Sequence, residues 1–171
     1  PVNAGSYAVV ANFVGNANYE PASATATITI GKSAVVLGWN QPATVVYGTP
    51  LGAAQLNASS NVPGTFAYSP AAGAVLNAGS HQLTATFTPA DAANYTGGSV
   101  GTSIAVAAAP LSIRANDVAK PFGAPLPVFT ASGAGFVNGD SFASLGGALA
   151  FATSATAAAG TDVVPAKAGT Q

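Results

Sequence analysis

From Gln82 to Thr88 the chain alternates strictly: Leu83, Ala85 and Phe87 are apolar, and Gln82, Thr84, Thr86 and Thr88 are polar. A period of two puts successive side chains on opposite faces of an extended backbone, so this is the pattern of a half-buried strand. Ala24, Ala26, Ile28 and Ile30 alternate with Thr25, Thr27 and Thr29 in the same way. Between these stretches, prolines at 42, 50, 63 and 70 and glycines at 48, 64, 73 and 79 interrupt the chain every few residues. Such punctuation breaks a chain into short strands joined by turns. The pattern predicts strands over 34–39, 44–47, 54–58, 64–68, 74–76, 81–88 and 98–106. That many short strands in about 75 residues suggests a small antiparallel sandwich. Helix is the competing state, because alanine is the best helix former. Ala155 to Ala159 is a candidate for local helix, and interspersed Thr, Val, Gly and Pro oppose it elsewhere.

The pattern also repeats. Asn3-Ala4-Gly5-Ser6 recurs 74 residues later as Asn77-Ala78-Gly79-Ser80, and Val9, Ala11 and Phe13 match Leu83, Ala85 and Phe87. After a two-residue insertion, Asn18-Tyr19 matches Asn94-Tyr95, and Ile28 and Ile30 match Ile104 and Val106. A second landmark, Tyr47-Gly48-Thr49-Pro50-Leu51, returns 75 residues later as Phe122-Gly123-Ala124-Pro125-Leu126. Two separate landmarks with nearly one period divide the chain into the back part of one module (1–31), a complete module (33–107) and the front of a third (109–171). The joints, Gly31-Lys32-Ser33 and Ala107-Ala108-Ala109-Pro110, are too short to let modules tumble.

Composition narrows the function. Of 171 residues 40 are alanine, so large apolar side chains are sparse and any core must be divided into slender units. Four basic and five acidic residues give a net charge of −1, leaving no basic footprint for nucleic acid and no polybasic patch for a membrane surface. No cysteine is present, which excludes disulfides and thiolate metal sites. No stretch approaches the ~20 apolar residues that span a bilayer. This composition fits a secreted bacterial repeat protein better than a cytosolic enzyme. The chain begins at proline without a signal-peptide pattern and is expected to be a piece of a longer protein.

The stretch from Val45 to Thr96 carries Tyr-Gly-Thr-Pro-Leu, then Pro-Gly-Thr-Phe-Ala-Tyr, then Gly-Ser-His-Gln-Leu, and finally Asn-Tyr before the last strand. It resembles a bacterial immunoglobulin-like repeat. The stretch from Pro110 to Ser141 resembles the related MBG-type module of large bacterial surface proteins, with Phe122-Gly123 where that module usually has Tyr-Gly. The resemblance implies an all-β fold of tandem small immunoglobulin-like antiparallel sandwiches whose terminal modules are incomplete. It implies a non-enzymatic stalk or spacer of an adhesin-like protein, extracellular or on the bacterial cell surface, with no catalytic residue to carry over. The expected partners are neighbouring modules of the same chain, with host or matrix glycans or proteins bound through other regions. The alternative function is a glycan- or matrix-binding sandwich. The third copy departs from the pattern: Ala159-Gly160-Thr161 is a candidate third turn that sets Asp162 at the Tyr7 and His81 position, but Pro165 then interrupts the strand and no Asn-Tyr comes after it. The tail also resembles translated intergenic repeats that end many bacterial reading frames.

Candidate chemistry is thin. Gly97-Gly98-Ser99-Val100-Gly101 matches a serine nucleophile elbow, yet a strand comes after it, and Asp91 and His81 both precede it. His81 is the single histidine, and its counterpart is Tyr7, which cannot perform the same acid–base role near neutral pH. Glu20, Asp91, Asp117, Asp140 and Asp162 are too scattered to form an acid pair by spacing. Asp117 and Asp140 are weak calcium candidates, and Asn138-Gly139 is better explained as a tight hairpin turn. Thr25, Thr27 and Thr29 form a hydroxyl ladder that does not recur in the second copy. Asn57-Ala58-Ser59 and Asn94-Tyr95-Thr96 match the glycosylation acceptor pattern. Trp39, Phe13, Phe66, Phe87, Tyr19 and Tyr95 are candidates for a sugar platform, though an alanine-rich sandwich needs most of them as core anchors. The expectation is no catalytic, cofactor-binding or metal site and no cofactor.

Overall fold

A computed structural model describes residues 2–147 and 149–154. The candidate helix at Ala155–Ala159, the candidate turn at Gly160 and Asp162 lie outside the described residues. The described chain is built of β-strands in several small sheets, and its one helical element is a single 3-10 turn, Phe142–Leu145. It falls into two compact units, one of residues up to 44, 50–74 and 80–105, the other of 45–49, 75–79 and the chain from 106 on.

In the first unit, β1 (Gly5–Phe13) and β2 (Ala22–Ile30) form an antiparallel hairpin from Gly5↔Ile30 to Phe13↔Ala22. Next come β3 (Ser33–Ala34), β4 (Leu37–Gly38), β6 (Ser59–Ser60), β7 (Gly64–Ser69), β8 (Gly79–Pro89), β9 (Tyr95–Thr96) and β10 (Gly98–Ala107), with β5 (Val45–Val46) belonging to the second unit. The main sheet sets β8 between β7 and β10, and β7 pairs antiparallel to β8 with Phe66 opposite Phe87 and Tyr68 opposite Ala85. The alternation read from the sequence is realised here: Leu83, Ala85, Phe87 and Ile104 are buried, and Leu51 and Leu56 join them in the core.

The stretches expected as strands at 34–39 and 54–58 behave differently. The first is split into β3 and β4, which pair with β9 and β6. The second is a turn, in which Gly52 O accepts from Gln55 N at 3.0 Å and Leu56 N at 2.9 Å. Gln55 Oε1 accepts from Gly52 N at 3.0 Å, so the glutamine side chain closes the turn that swings Leu56 into the core. Residues 74–76 form only an isolated bridge at Val75 rather than a strand. Nor is the pairing wholly antiparallel, since β3–β9 and β5–β10 are parallel. Side-chain alternation reports which face a residue takes and carries no information on partner direction.

In the second unit, Val45 and Val46 pair with Val106 and Ala107 at the end of β10. Then β11 (Ser112–Ala115) pairs antiparallel with β12 (Ala131–Ala134). Asn138 and Gly139 have φ of 56° and 77°, and Asp140 N donates to Val137 O at 3.0 Å. Positive φ at both central residues is the primed turn that Asn-Gly favours. The expected tight turn is present, but the 3-10 turn comes after it in place of a second strand, so it closes no hairpin. Half-buried rings fill this unit: Phe136 and Phe142 meet edge to face at 5.2 Å, and Phe129 stacks on Phe151 at 6.1 Å.

Candidate functional site

Ser99 lies near the start of β10, in a strand rather than a strand–turn–helix elbow. It lines a shallow hollow of about 300 Å³ with Ala34, Val35, Leu37, Thr96, Gly97, Gly98 and Val100, none of which is an acid or a base. His81 stands on β8 two residues before Leu83, at the half-buried end of the core face. Tyr7 holds the equivalent place on β1: its ring covers Gly5, and its hydroxyl donates to Asn3 O at 2.8 Å. Asp117 is exposed. Among the described residues, no three His, Asp or Glu side chains gather into a group that could hold a metal. No helix among them is long and apolar enough to cross a membrane.

The aromatic candidates separate. Trp39 meets Tyr68 edge to face at 5.4 Å, Tyr68 stacks on Phe66 at 6.0 Å, and Phe66 tilts onto Phe87 at 4.9 Å. Trp39 Nε1 donates to Gln55 O at 3.0 Å. This row runs from half-buried Trp39, Tyr68 and Phe66 to buried Phe87, with the rings packed on one another at the edge of the core rather than laid out as a flat face. Tyr68, the last residue of the Pro-Gly-Thr-Phe-Ala-Tyr motif, joins the row because its spacing of two from Phe66 places it on the same strand face, although it is not among the aromatic candidates of the sequence. Phe13 and Tyr19 are exposed apart from this row, and half-buried Tyr95 pairs with Ser33. The threonine ladder faces solvent on β2, where Thr29 and Ser6 bring their hydroxyl oxygens to 3.4 Å.

The densest polar constellation is one that spacing did not reveal. Asn94 Oδ1 accepts from Ala4 N at 2.7 Å, and its Nδ2 donates to Asn3 Oδ1 at 3.3 Å and to Asp91 Oδ2 at 2.7 Å. Its backbone N donates to Asp91 Oδ1 at 3.1 Å, and its backbone O accepts from Ser33 N at 2.8 Å. Lys32 Nζ donates to Ala92 O at 2.7 Å beside it. One side chain therefore ties the turn before β1 to the loop before β9. The Asn94 side chain, the Asn94 and Ala93 backbone amides and the Lys32 charge hold the Asp91 carboxyl below its ordinary value, against an opposing desolvation. With its Nδ2 spent in these bonds and the residue half-buried, Asn94 is a poor glycan acceptor, whereas exposed Asn57 donates one 3.3 Å bond to Ala54 O.

A second constellation lies in the other unit. Tyr47 Oη donates to Asp140 Oδ2 at 2.8 Å, and Asn138 Nδ2 lies 3.4 Å from that hydroxyl. Gly48, at φ 92°, backs onto Val137 so closely that a Cβ would fall 2.7 Å from Val137 Cγ2. The Tyr-Gly pair thus grips the 137–140 turn, with the hydroxyl on the carboxylate and the bare glycine against the valine. Asp140, weighed as a calcium ligand, accepts from this hydroxyl through Oδ2.

Residues 111–170 match the MBG domain family of YGX type, a segment of 60 of the 171 residues. Comparison with curated proteins and with solved structures finds no match. The matched segment carries Phe122-Gly123, and it is similar to a family of non-catalytic β-domains.

Proposed function

We propose that this chain is a stretch of a non-enzymatic stalk, a run of tandem immunoglobulin-like modules in a secreted or surface-displayed, adhesin-like bacterial protein. The modules are residues 1–31, the back of one; 33–107, a complete one; and 109–171, the front of an MBG-type module. The observation that supports this reading is that β1 lies beside β2 as β8 lies beside β10, with both pairs carrying the repeated sequence positions. Each first strand starts at the glycine of Asn-Ala-Gly-Ser, with φ of 153° at Gly5 and 130° at Gly79. Such values suit glycine, so the repeated motif opens the strand with the same residue in both copies.

The function is mechanical spacing. Each module is a strut, and Asn94 acts as a pin across a three-residue joint, 31–33. Tyr47 and Asp140 form the corresponding pin at the next joint. Side-chain pins across short joints restrict bending, which a spacer requires and a flexible linker lacks. The partners are neighbouring modules, and any host or matrix ligand is bound by other regions of the protein. The aromatic row supports this over a glycan site, because its rings pack edge to face, stacked and tilted against one another down to buried Phe87.

Pulling the chain from its two ends by single-molecule force spectroscopy tests the reading. Residues 33–107 should open in one cooperative event that releases about 25 nm of contour length, at ~3.5 Å per residue. Gradual extension without a discrete event would reject the stalk.

A further inference from the structure

The β1–β2 hairpin presents an unbroken apolar face to solvent. Tyr7, Val9, Ala11 and Phe13 on β1 stand opposite Ile28, Ala26, Ala24 and Ala22 on β2, so every position of that face is apolar. The other face is mostly polar, with Ser6, Asn12, Ser23, Thr25, Thr27 and Thr29, and carries Ala8 and the 54% exposed Val10 among them. Val9, Phe13 and Ile28 are 50%, 45% and 48% exposed, while their equivalents Leu83, Phe87 and Ile104 are 0%, 2% and 0% exposed. Positions equivalent in the repeat are core in one copy and surface in the other. The strand edges differ likewise: β8 has neighbours on both sides and β10 also takes β5, whereas β1 and β2 pair only with each other among the described residues.

We infer that this face and its two edges are the docking site for a front-half segment of the same repeat, built like residues 33–76. The inference rests on the modular reading of the chain. The interface already exists once in this protein. There, residues 33–76 supply Leu51 and Leu56 to the core, lay Phe66 on Phe87, and add β7 beside β8 and β5 beside β10. Carried back by the 74-residue period, a β7-like strand takes the free edge of β1 and a β5-like strand takes the free edge of β2. Leucines and an aromatic cover Val9, Phe13 and Ile28. Charge agrees: residues 33–76 contain no charged side chain, and neither do the two strands of the hairpin. Binding occurs by strand addition, with backbone hydrogen bonds supplying affinity and the alternate apolar positions fixing register.

The test extends the 171-residue chain ahead of Pro1 with a copy of residues 33–74, which joins Pro1 in the register that Ala74 has to Val75. Hydrogen exchange is measured at residues 5–13 and 22–30 in the original chain, the extended chain and a chain whose extension is scrambled. Exchange should slow at least about tenfold with the native-order extension alone, and Phe13→Asp in that chain should restore the original rate. Unchanged exchange, including in an extended chain that aggregates, overturns the inference, as does equal slowing by the scrambled extension. Self-association of the original chain that Phe13→Asp abolishes would give the face to a second copy and overturn it too. A cooperative force event from residues 33–107 together with unchanged hairpin exchange would refute this assignment and leave the stalk standing.

Discussion

Asn94 bonds at once to Asn3, Ala4 and Asp91, and its anchor is the Asp91 carboxylate. The ionised form accepts from both the side-chain and the backbone nitrogen of Asn94, which is why the folded Asp91 holds its proton less readily than in the unfolded chain. The sign comes from linkage. A depressed folded value contributes stability that is fully present above the unfolded value of about 3.9 and is lost as pH falls through the folded one. Acidification from pH 6 to pH 2 should therefore loosen the loop before β9. Amide exchange at Asn94 and Tyr95, corrected for its intrinsic pH dependence, should rise in the wild type, and Asp91→Asn should flatten that acid-dependent part. A wild-type loop equally protected at both pH values would show that the carboxylate is idle. In the sequence, Asn94-Tyr95 is legible as a landmark of the period and as a glycosylation acceptor pattern, but not as a tie between modules. Its role was hidden because it depends on Asn3 and Ala4, some 90 residues away, and no local spacing encodes such a partner. His81 is read by the opposite route, through its sequence counterpart Tyr7, whose hydroxyl donates to Asn3 O at 2.8 Å.

At the scale of the element, β7 and β8 show how a glycine sets a pairing. Gly64 stands opposite Pro89, and a Cβ there would run into the Phe87 ring and the Thr88 carbonyl. Phe87 is 2% exposed and has nowhere to retreat. Gly64→Ala should therefore cost about 1–3 kcal/mol through overpacking. Gly101→Ala on β10 is the control, since its Cβ would meet only the Leu83 carbonyl at an ordinary 3.4 Å. Urea denaturation should lower the midpoint for the first substitution and leave it nearly unchanged for the second. Equal midpoints would remove the steric argument. The long strands were legible because alternation over seven residues is a strong local signal, as at β8 and β2. The two-residue strands β3, β4, β5 and β6 were not, since two residues cannot display a period. Their places are set by tertiary bonds such as Val36 N to Asn61 Oδ1 at 2.9 Å and Trp39 Nε1 to Gln55 O.

For the whole molecule, the proposed modular frame has a consequence that a single continuous core would not share. The buried residues Leu51, Leu56, Leu83, Ala85, Phe87, Ile104 and Val106 all come from positions 51–106. Both strands flanking β8, and the β5 strand on β10, come from residues 45–107. Deleting residues 109–171 removes none of them. It does remove Asp140 and Val137, so Tyr47 loses its hydroxyl partner and Gly48 its packing. Loss of one hydrogen bond whose donor can turn to water is worth about 0.5–1.5 kcal/mol. The shortened chain should therefore melt in one cooperative transition, displaced slightly to lower temperature. Trp39, the single tryptophan, reports that transition directly, because its indole sits against Gln55 and Tyr68 within the retained segment. A gradual Trp39 fluorescence change with no transition would mean that residues 33–107 borrow their order from residues 109–171. The chain would then be one interdependent body, and each strut of the stalk would lose the independence on which its spacing role rests.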